Sequence, residues 1–168
     1  NEGSTRADLS GLRLTDNPDN PDKFAFPAGT FLEADDYLVL YANNPDGSSG
    51  FHLRFSLNQD GDGVYLFDRA SAGNAVLDSV VFGRQVVDLS LGRFGADGGW
   101  AITQPSFGST NTVQLTGDPH ALRLNEWFTD GRLLFNNDFL ELYNPSSLPI
   151  ALGGLFLTDN LSAAPTRH

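Results

Sequence analysis

Residues 144–160, NPSSLPIALGGLFLTDN, repeat residues 1–17, NEGSTRADLSGLRLTDN, without a gap. Nine of the seventeen positions are identical at a constant offset of 143: Asn1/Asn144, Ser4/Ser147, Leu9/Leu152, Gly11/Gly154, Leu12/Leu155, Leu14/Leu157, Thr15/Thr158, Asp16/Asp159 and Asn17/Asn160. Identity of that density in one register marks an internal repeat. The period exceeds the roughly 20–50 residues of solenoid units and fits one whole globular domain. A chain of 168 residues with this period is therefore expected to start partway into one domain and stop partway into the next. Gly108-Ser109-Thr110-Asn111-Thr112, followed by Thr116-Gly117-Asp118-Pro119, has linker composition and falls where the boundary is expected. The absence of Met adds the expectation of a piece cut from a longer array.

Period-2 alternation dominates the chain. Phe51, Leu53, Phe55 and Leu57 are apolar, and His52, Arg54 and Ser56 between them are polar, the pattern of a strand with one buried face. Strands are predicted over 9–15, 36–42, 51–57, 63–68, 75–82, 99–103, 121–127, 133–136, 138–143 and 152–157, separated by Gly, Pro, Asn and Asp. No helix of three turns is predicted. Runs such as Asn58-Gln59-Asp60-Gly61-Asp62-Gly63 and Asn43-Asn44-Pro45-Asp46-Gly47 supply the positive-φ positions of tight turns. The fold class that follows is all-β, an immunoglobulin-like β-sandwich.

Composition narrows the functional classes. The chain is 40% hydrophobic with 13 Phe, enough apolar material for a packed core. Absent Cys removes disulfides, thiolate metal sites and cysteine nucleophiles. No apolar run approaches the ~18 residues of a membrane span, and no signal peptide is evident. A net charge of −11 and a pI near 4.3 repel phosphate backbones and anionic headgroups. Nine of the ten basic residues are Arg and one is Lys23, without a basic cluster, so neither nucleic acid nor membrane insertion is expected.

The ordered motifs resemble the lamin-tail domain, the immunoglobulin-like sandwich at the end of nuclear lamins that also occurs in bacterial secreted proteins. Leu124-Asn125-Glu126-Trp127, Asp138-Phe139-Leu140-Glu141-Leu142-Tyr143-Asn144 and Leu152-Gly153-Gly154-Leu155-Phe156-Leu157-Thr158-Asp159 are similar to the family's first three strands. Its later part is matched by Phe26-Pro27-Ala28-Gly29-Thr30, Tyr37-Leu38-Val39-Leu40, Phe55 to Leu66, Asp78-Ser79-Val80, Ser90-Leu91-Gly92-Arg93 with Gly99-Trp100, and Pro105-Ser106-Phe107-Gly108-Ser109-Thr110-Asn111. Asp36 stands where Gly is usual, and Ser106-Phe107 replaces Thr-Pro. The order is rotated: residues 1–111 resemble a lamin-tail domain lacking its first two strands, 112–120 read as linker, and 121–168 resemble the first strands of a second repeat. The acidic surface differs from the basic patches through which lamin tails are thought to meet nucleic acid, so that function does not carry over.

Catalysis is not expected. His52, His120 and His168 have neither triad nor His-x-x-x-His spacing, and a plain sandwich offers no evident cleft for paired carboxylates. His52, on the polar side of its alternating segment, is expected to be exposed. Asp60 and Asp62 are the calcium candidates, because alternating Asp and Asn with Gly can wrap a hard cation. Counting from Asn58, however, Arg69 stands where the EF-hand pattern needs Glu, and a hairpin turn is the simpler reading; no other cofactor is implied. The Asp16–Asp22 loop reads equally as Asx turns before Pro. Glu126, Glu141 and Arg93 are charged residues inside strand motifs, read as ion pairs or a polar strand face rather than a binding surface. Trp100 and Trp127 are expected as core anchors; exposed, they would instead point to carbohydrate stacking.

The resemblance implies a non-catalytic interaction or spacer module of a larger exported protein, extracellular or at the cell surface, whose partners are neighbouring domains or other proteins. A carbohydrate-binding or calcium-dependent adhesive module attached to an enzyme is the alternative. A sandwich without two strands leaves open edges and an uncovered apolar face. Residues 121–143 are expected to fill that gap, either by folding back in cis or by strand exchange in a homodimer. Residues 144–168 are then surplus.

Overall fold

The computed structural model describes residues 1–131, 137–160 and 162. The chain divides into two units, Asn1–Thr112 and Val113–His168. The described residues form short β-strands and three single-turn 3₁₀ segments.

In the first unit, four strands build the principal sheet: β1 (Ala7–Asp8) precedes it, and β2 (Arg13–Thr15), β3 (Phe24–Ala25), β7 (Gly61–Phe67) and β8 (Val76–Gly83) form it in the order β3-β2-β7-β8. β4 (Phe31–Leu32) pairs antiparallel with β1, and β5 (Leu40–Tyr41) pairs parallel with β6 (Phe51–His52). β9 (Ser90–Phe94) and β10 (Gly99–Gln104) form an antiparallel hairpin, extended by β11 (Thr112–Val113) at the division between units.

The core lies on one face of the principal sheet. Leu12, Leu14, Phe26, Leu53 and Phe55 are buried there, with Leu38, Leu40, Val64 and Leu66 packed against them. Phe24, Phe26 and Phe51 meet edge to face with centroids 5.1–6.1 Å apart, the geometry that aromatic quadrupoles favour. Arg13, between Leu12 and Leu14 in sequence and so on the other side of β2, is also buried; its terminal nitrogens are held by Asp22 and by the carbonyl of Asp68, while its Nε has no hydrogen-bond partner among the described residues.

In the second unit, β12 (Arg123–Phe128) and β13 (Phe139–Tyr143) form an antiparallel pair. The predicted strand at 133–136 lies outside the described residues.

Several predicted strands are shortened for identifiable reasons. Residues 9–15 are interrupted by a turn through Gly11 at φ +77°, where the Leu12 amide donates to the Leu9 carbonyl at 3.0 Å. Residues 51–57 lose the ladder after His52 because Arg54 turns left-handed at φ +64°. Only Leu40–Tyr41 of 36–42 pairs. Residues 152–157 form no strand at all. Their counterpart, β2, exists between β3 and β7, and the 168 residues hold no second copy of β7. The two-residue strands β1, β3, β4 and β11, and the five-residue β9, lie outside the predicted strands.

The turns of the repeat are nevertheless reproduced at both ends of the chain. The Asn1 side-chain amide donates to the Thr5 carbonyl at 2.9 Å, and that of Asn144 donates to the Leu148 carbonyl at 2.9 Å. Gly11 and Gly154 sit at φ +77° and +80°, a region glycine enters without a Cβ penalty, and each is followed by the same amide-to-carbonyl bond, Leu12 to Leu9 and Leu155 to Leu152. The Asn17 and Asn160 amides each donate to the hydroxyl two residues back, Thr15 and Thr158, at 3.0 Å. Both asparagine side chains then accept from the amide two residues on, at Asp19 and Ser162.

Candidate functional site

Val64 and Val80 face each other across the β7–β8 ladder, and Leu66 and Leu14 across β7–β2. This half of the core face is not fully covered. An apolar groove opens over it, with one pocket of about 170 Å³ lined by Leu14, Val64, Leu66, Val80 and Trp100 and an adjoining one of about 450 Å³ reaching Leu57, Phe82 and Leu91. The β9–β10 hairpin supplies the far wall. There the Arg93 guanidinium lies 4.6 Å from the Trp100 ring centroid and donates to both carboxylate oxygens of Asp78 at 2.9 and 3.0 Å. β8 is the edge strand of its sheet, and Val76, Leu77 and Val81 on it are exposed. A long edge strand with apolar side chains is a template for pairing with another strand.

The second unit, taken by itself, also exposes apolar side chains. Leu124 pairs with Leu142 and Trp127 with Leu140, with a bulge between Leu124 and Glu126. An inserted residue shifts the alternation by one. Leu124 and Trp127, three apart, therefore share a face with Leu140 and Leu142. All four are exposed, Trp127 by 74%. On the opposite face, Phe128 stacks on Phe139 at 5.5 Å and Glu126 stands directly across from Glu141, whose carboxylate accepts from the Asn125 amide group.

The structure therefore corrects the expectation for both tryptophans. Trp100 is 47% exposed at the rim of the groove, beneath Arg93, and Trp127 lies on an uncovered hairpin face. Neither is a core anchor, because the apolar surface each would pack against is open. Arg93 is a satisfied ion-pair partner. The expectation for His52 is also corrected: its side chain is only 7% exposed. The Asn43–Gly50 loop folds over it, so that Nδ1 lies 2.6 Å from Asn43 Oδ1 and Nε2 lies 3.3 Å from Ser48 Oγ, while the ring stacks on Tyr41 at 5.5 Å. His120 is exposed and bonded to Asp118; His168 lies outside the described residues.

Asp60 sits in the turn entering β7, and Asp62 is the second residue of that strand. Asp62 accepts from the Asn58 amide at 2.9 Å through Oδ2 and from the Gly63 amide at 2.8 Å through Oδ1, while Asp60 lies 3.7 Å from Arg84. In the Asp16–Asp22 loop, Asp16 pairs with Lys23 and Asp22 with Arg13. No group of three or more His, Asp or Glu among the described residues is arranged to hold a metal ion. No helix among them is long and apolar enough to cross a membrane.

A principal four-stranded sheet faced by a second hairpin sheet, with short antiparallel pairs and an alternating apolar core, defines an immunoglobulin-like β-sandwich, a class used for interaction. The lamin tail domain family matches residues 1–84, from Asn1 through the end of β8, and the chain belongs to that family. No curated protein and no solved structure matches the chain.

Proposed function

We propose that this chain is a non-catalytic interaction and spacer module of a larger exported protein in which lamin-tail domains recur in tandem. The observation that carries the reading is the repeat itself: the same asparagine, glycine and threonine turns recur 143 positions apart with the same hydrogen bonds. Selection for one active site does not explain a duplicated turn outside that site, whereas an array of like domains does. Export is supported by the resemblance to bacterial secreted members. Docking of protein is supported by the apolar groove and the edge strand β8.

The test is to fuse residues 1–143 ahead of the full chain once and then twice, and to measure the maximum dimension by small-angle scattering. A spacer lengthens by a constant increment per repeat. Collapse of the repeats into one compact particle would overturn the reading.

The exposed Trp127 favours a second reading, a carbohydrate-stacking surface. Its neighbours on that face are three leucines, which offer no sugar hydroxyl a hydrogen bond, and the protein-docking reading therefore fits the face better. Titration with soluble β-glucan and chitin oligosaccharides, read by tryptophan fluorescence, separates the two.

A further inference from the structure

We propose that the pocket between β3 and the Asn43–Arg54 segment of the first unit binds an anionic sugar, a pyranose carrying one carboxylate or phosphate group, with Arg54 as the ligand of its oxyanion. This is a role beyond that of an interaction and spacer module.

The backbone singles out Arg54. Among the described residues, the non-glycine positions at positive φ are Asp35, Arg54, Asn74, Asp88 and Asp130. Asp and Asn visit the left-handed region because a short polar side chain hydrogen-bonds locally there, a compensation that a long side chain lacks. Arg54 nevertheless stays at φ +64°, its amide donating to the Asn43 carbonyl at 2.9 Å and its neighbours Leu53 and Phe55 both buried. Strain that the surrounding structure enforces in this way gathers at ligand sites.

The side chain is singled out as well. Of the other described arginines, Arg6, Arg13, Arg69, Arg84 and Arg93 each pair with a carboxylate, and Arg123 donates to three carbonyls. The Arg54 guanidinium has neither kind of partner among the described residues. It lines a pocket of about 550 Å³ together with Lys23, Phe24, Ser48, Phe51 and His52. No described Asp or Glu lines that pocket, in a chain with 21 Asp and Glu against 10 Lys and Arg. Lys23 uses one ammonium hydrogen on Asp16, which leaves two for a ligand. The ring nitrogens of His52 are taken by Asn43 and Ser48, so this ring is wall and not ligand.

The walls select the ligand. A pocket of this volume suits a small molecule. Phe24 and Phe51, edge to face at 6.1 Å, give it apolar surface, and Ser48 and the two cations give it polar surface. A pyranose uses both, its C–H face on the apolar wall and its hydroxyls on polar partners, whereas a bare inorganic ion leaves the apolar wall unused. The guanidinium fork matches the paired oxygens of a carboxylate or phosphate. The net charge of −11 opposes an anion from afar but is screened beyond about 8 Å at physiological ionic strength, so recognition rests on these short contacts.

Isothermal titration of the full 168-residue chain at physiological ionic strength provides the test, with glucuronate, glucose 6-phosphate, glucose and inorganic phosphate as probes. Glucuronate or glucose 6-phosphate is expected to bind saturably, about tenfold or more tighter than glucose or inorganic phosphate, and the tighter of the two identifies the anion. Arg54→Gln is expected to lose that binding with the backbone kept as it is. Arg54→Gly is expected to lose it without lowering the melting temperature, because glycine enters the left-handed region free of a Cβ penalty. The proposal is overturned if neither anionic sugar saturates at millimolar concentration, if glucose or inorganic phosphate binds as tightly, or if Arg54→Gln binds unchanged. A lowered melting temperature in Arg54→Gly would show that the arginine is held for stability and would overturn it too. None of these outcomes bears on the scattering test of the spacer reading.

Discussion

Leu14 and Leu157 occupy the same place in two copies of one turn, yet Leu14 is 9% exposed and Leu157 is 60% exposed. The turn itself is local, built from Asn, Gly and Thr hydrogen bonds that each segment makes with itself. Burial is not local: Leu14 sits on β2 between β3 and β7, opposite Leu66. Leu14→Ala is expected to cost about 2–5 kcal/mol, the range for a core leucine, and Leu157→Ala less than about 0.5 kcal/mol. Urea unfolding followed by amide exchange of β7 and β8 measures both. Equal effects of the two variants would contradict the assignment of the core.

The same contrast explains what could be read from residues alone. β7 and β8 were legible because each carries a run of β-branched and aromatic residues, Val64-Tyr65-Leu66-Phe67 and Val80-Val81-Phe82, bounded by residues rich in Asn, Asp and Gly. The strand predicted at 152–157 shares four of six residues with 9–14 but pairs with no strand among the described residues, and a strand exists only through its partners. The face of the hairpin was illegible for another reason. Leu124 and Trp127 are three apart, so strict alternation puts them on opposite sides, and the bulge that reunites them has no residue signature in Leu124-Asn125-Glu126. Two-residue strands such as β3 and β4 are too short to show a period. His52 alternated as a surface residue should, and it was the loop folding back over it, a tertiary event, that buried it.

Gly92 marks a close approach that a side chain would block. A Cβ there would stand 2.7 Å from the Asn111 side chain and 2.9 Å from Thr103 Oγ1. Asn111 donates to the Arg93 carbonyl at 2.9 Å, and Thr103 is wholly buried with its hydroxyl 2.9 Å from Ser90 Oγ. Gly92→Ala is therefore expected to destabilise the first unit by about 1–3 kcal/mol, as overpacking does. Asn111→Ala in the same chain should recover part of that loss, because it removes the nearer clash. A double-mutant cycle in urea checks the coupling; strictly additive losses would contradict it.

Acid should weaken the loop over His52. The Asp46 carboxyl is held below its ordinary value by the Ser48 hydroxyl first and the Ser48 amide second, at 2.6 and 2.9 Å, with a smaller pull from His52. Asp8 is lowered in the same direction by Ser10 and more weakly by Arg69 and Arg6. A carboxyl lowered in the folded state binds fewer protons there than when unfolded, so its contribution is complete above about pH 4 and is lost as pH falls through the lowered folded value. Ser48→Ala should reduce the acid-side loss and move the Asp46 carboxyl titration, followed by carbon NMR, upward. A titration unchanged in the variant would show that Ser48 does not hold the charge.

Calcium should leave the melting temperature unchanged. A calcium loop needs carboxylate oxygens free to converge on one ion at about 2.3–2.6 Å. In the Asn58–Gly63 turn both oxygens of Asp62 accept backbone amides, from Asn58 and Gly63, and Asp60 is drawn toward Arg84. Turning either oxygen of Asp62 to a cation would strip an amide of its partner at the entry to β7. The hydrogen bonds also make Asp62 a structural residue: Asp62→Ala is expected to lower stability by about 1 kcal/mol, with or without the ion. A calorimetric scan with millimolar Ca²⁺ against EDTA separates the readings. A rise in melting temperature that disappears in both Asp60→Asn and Asp62→Asn would establish the adhesive-module reading in place of the turn.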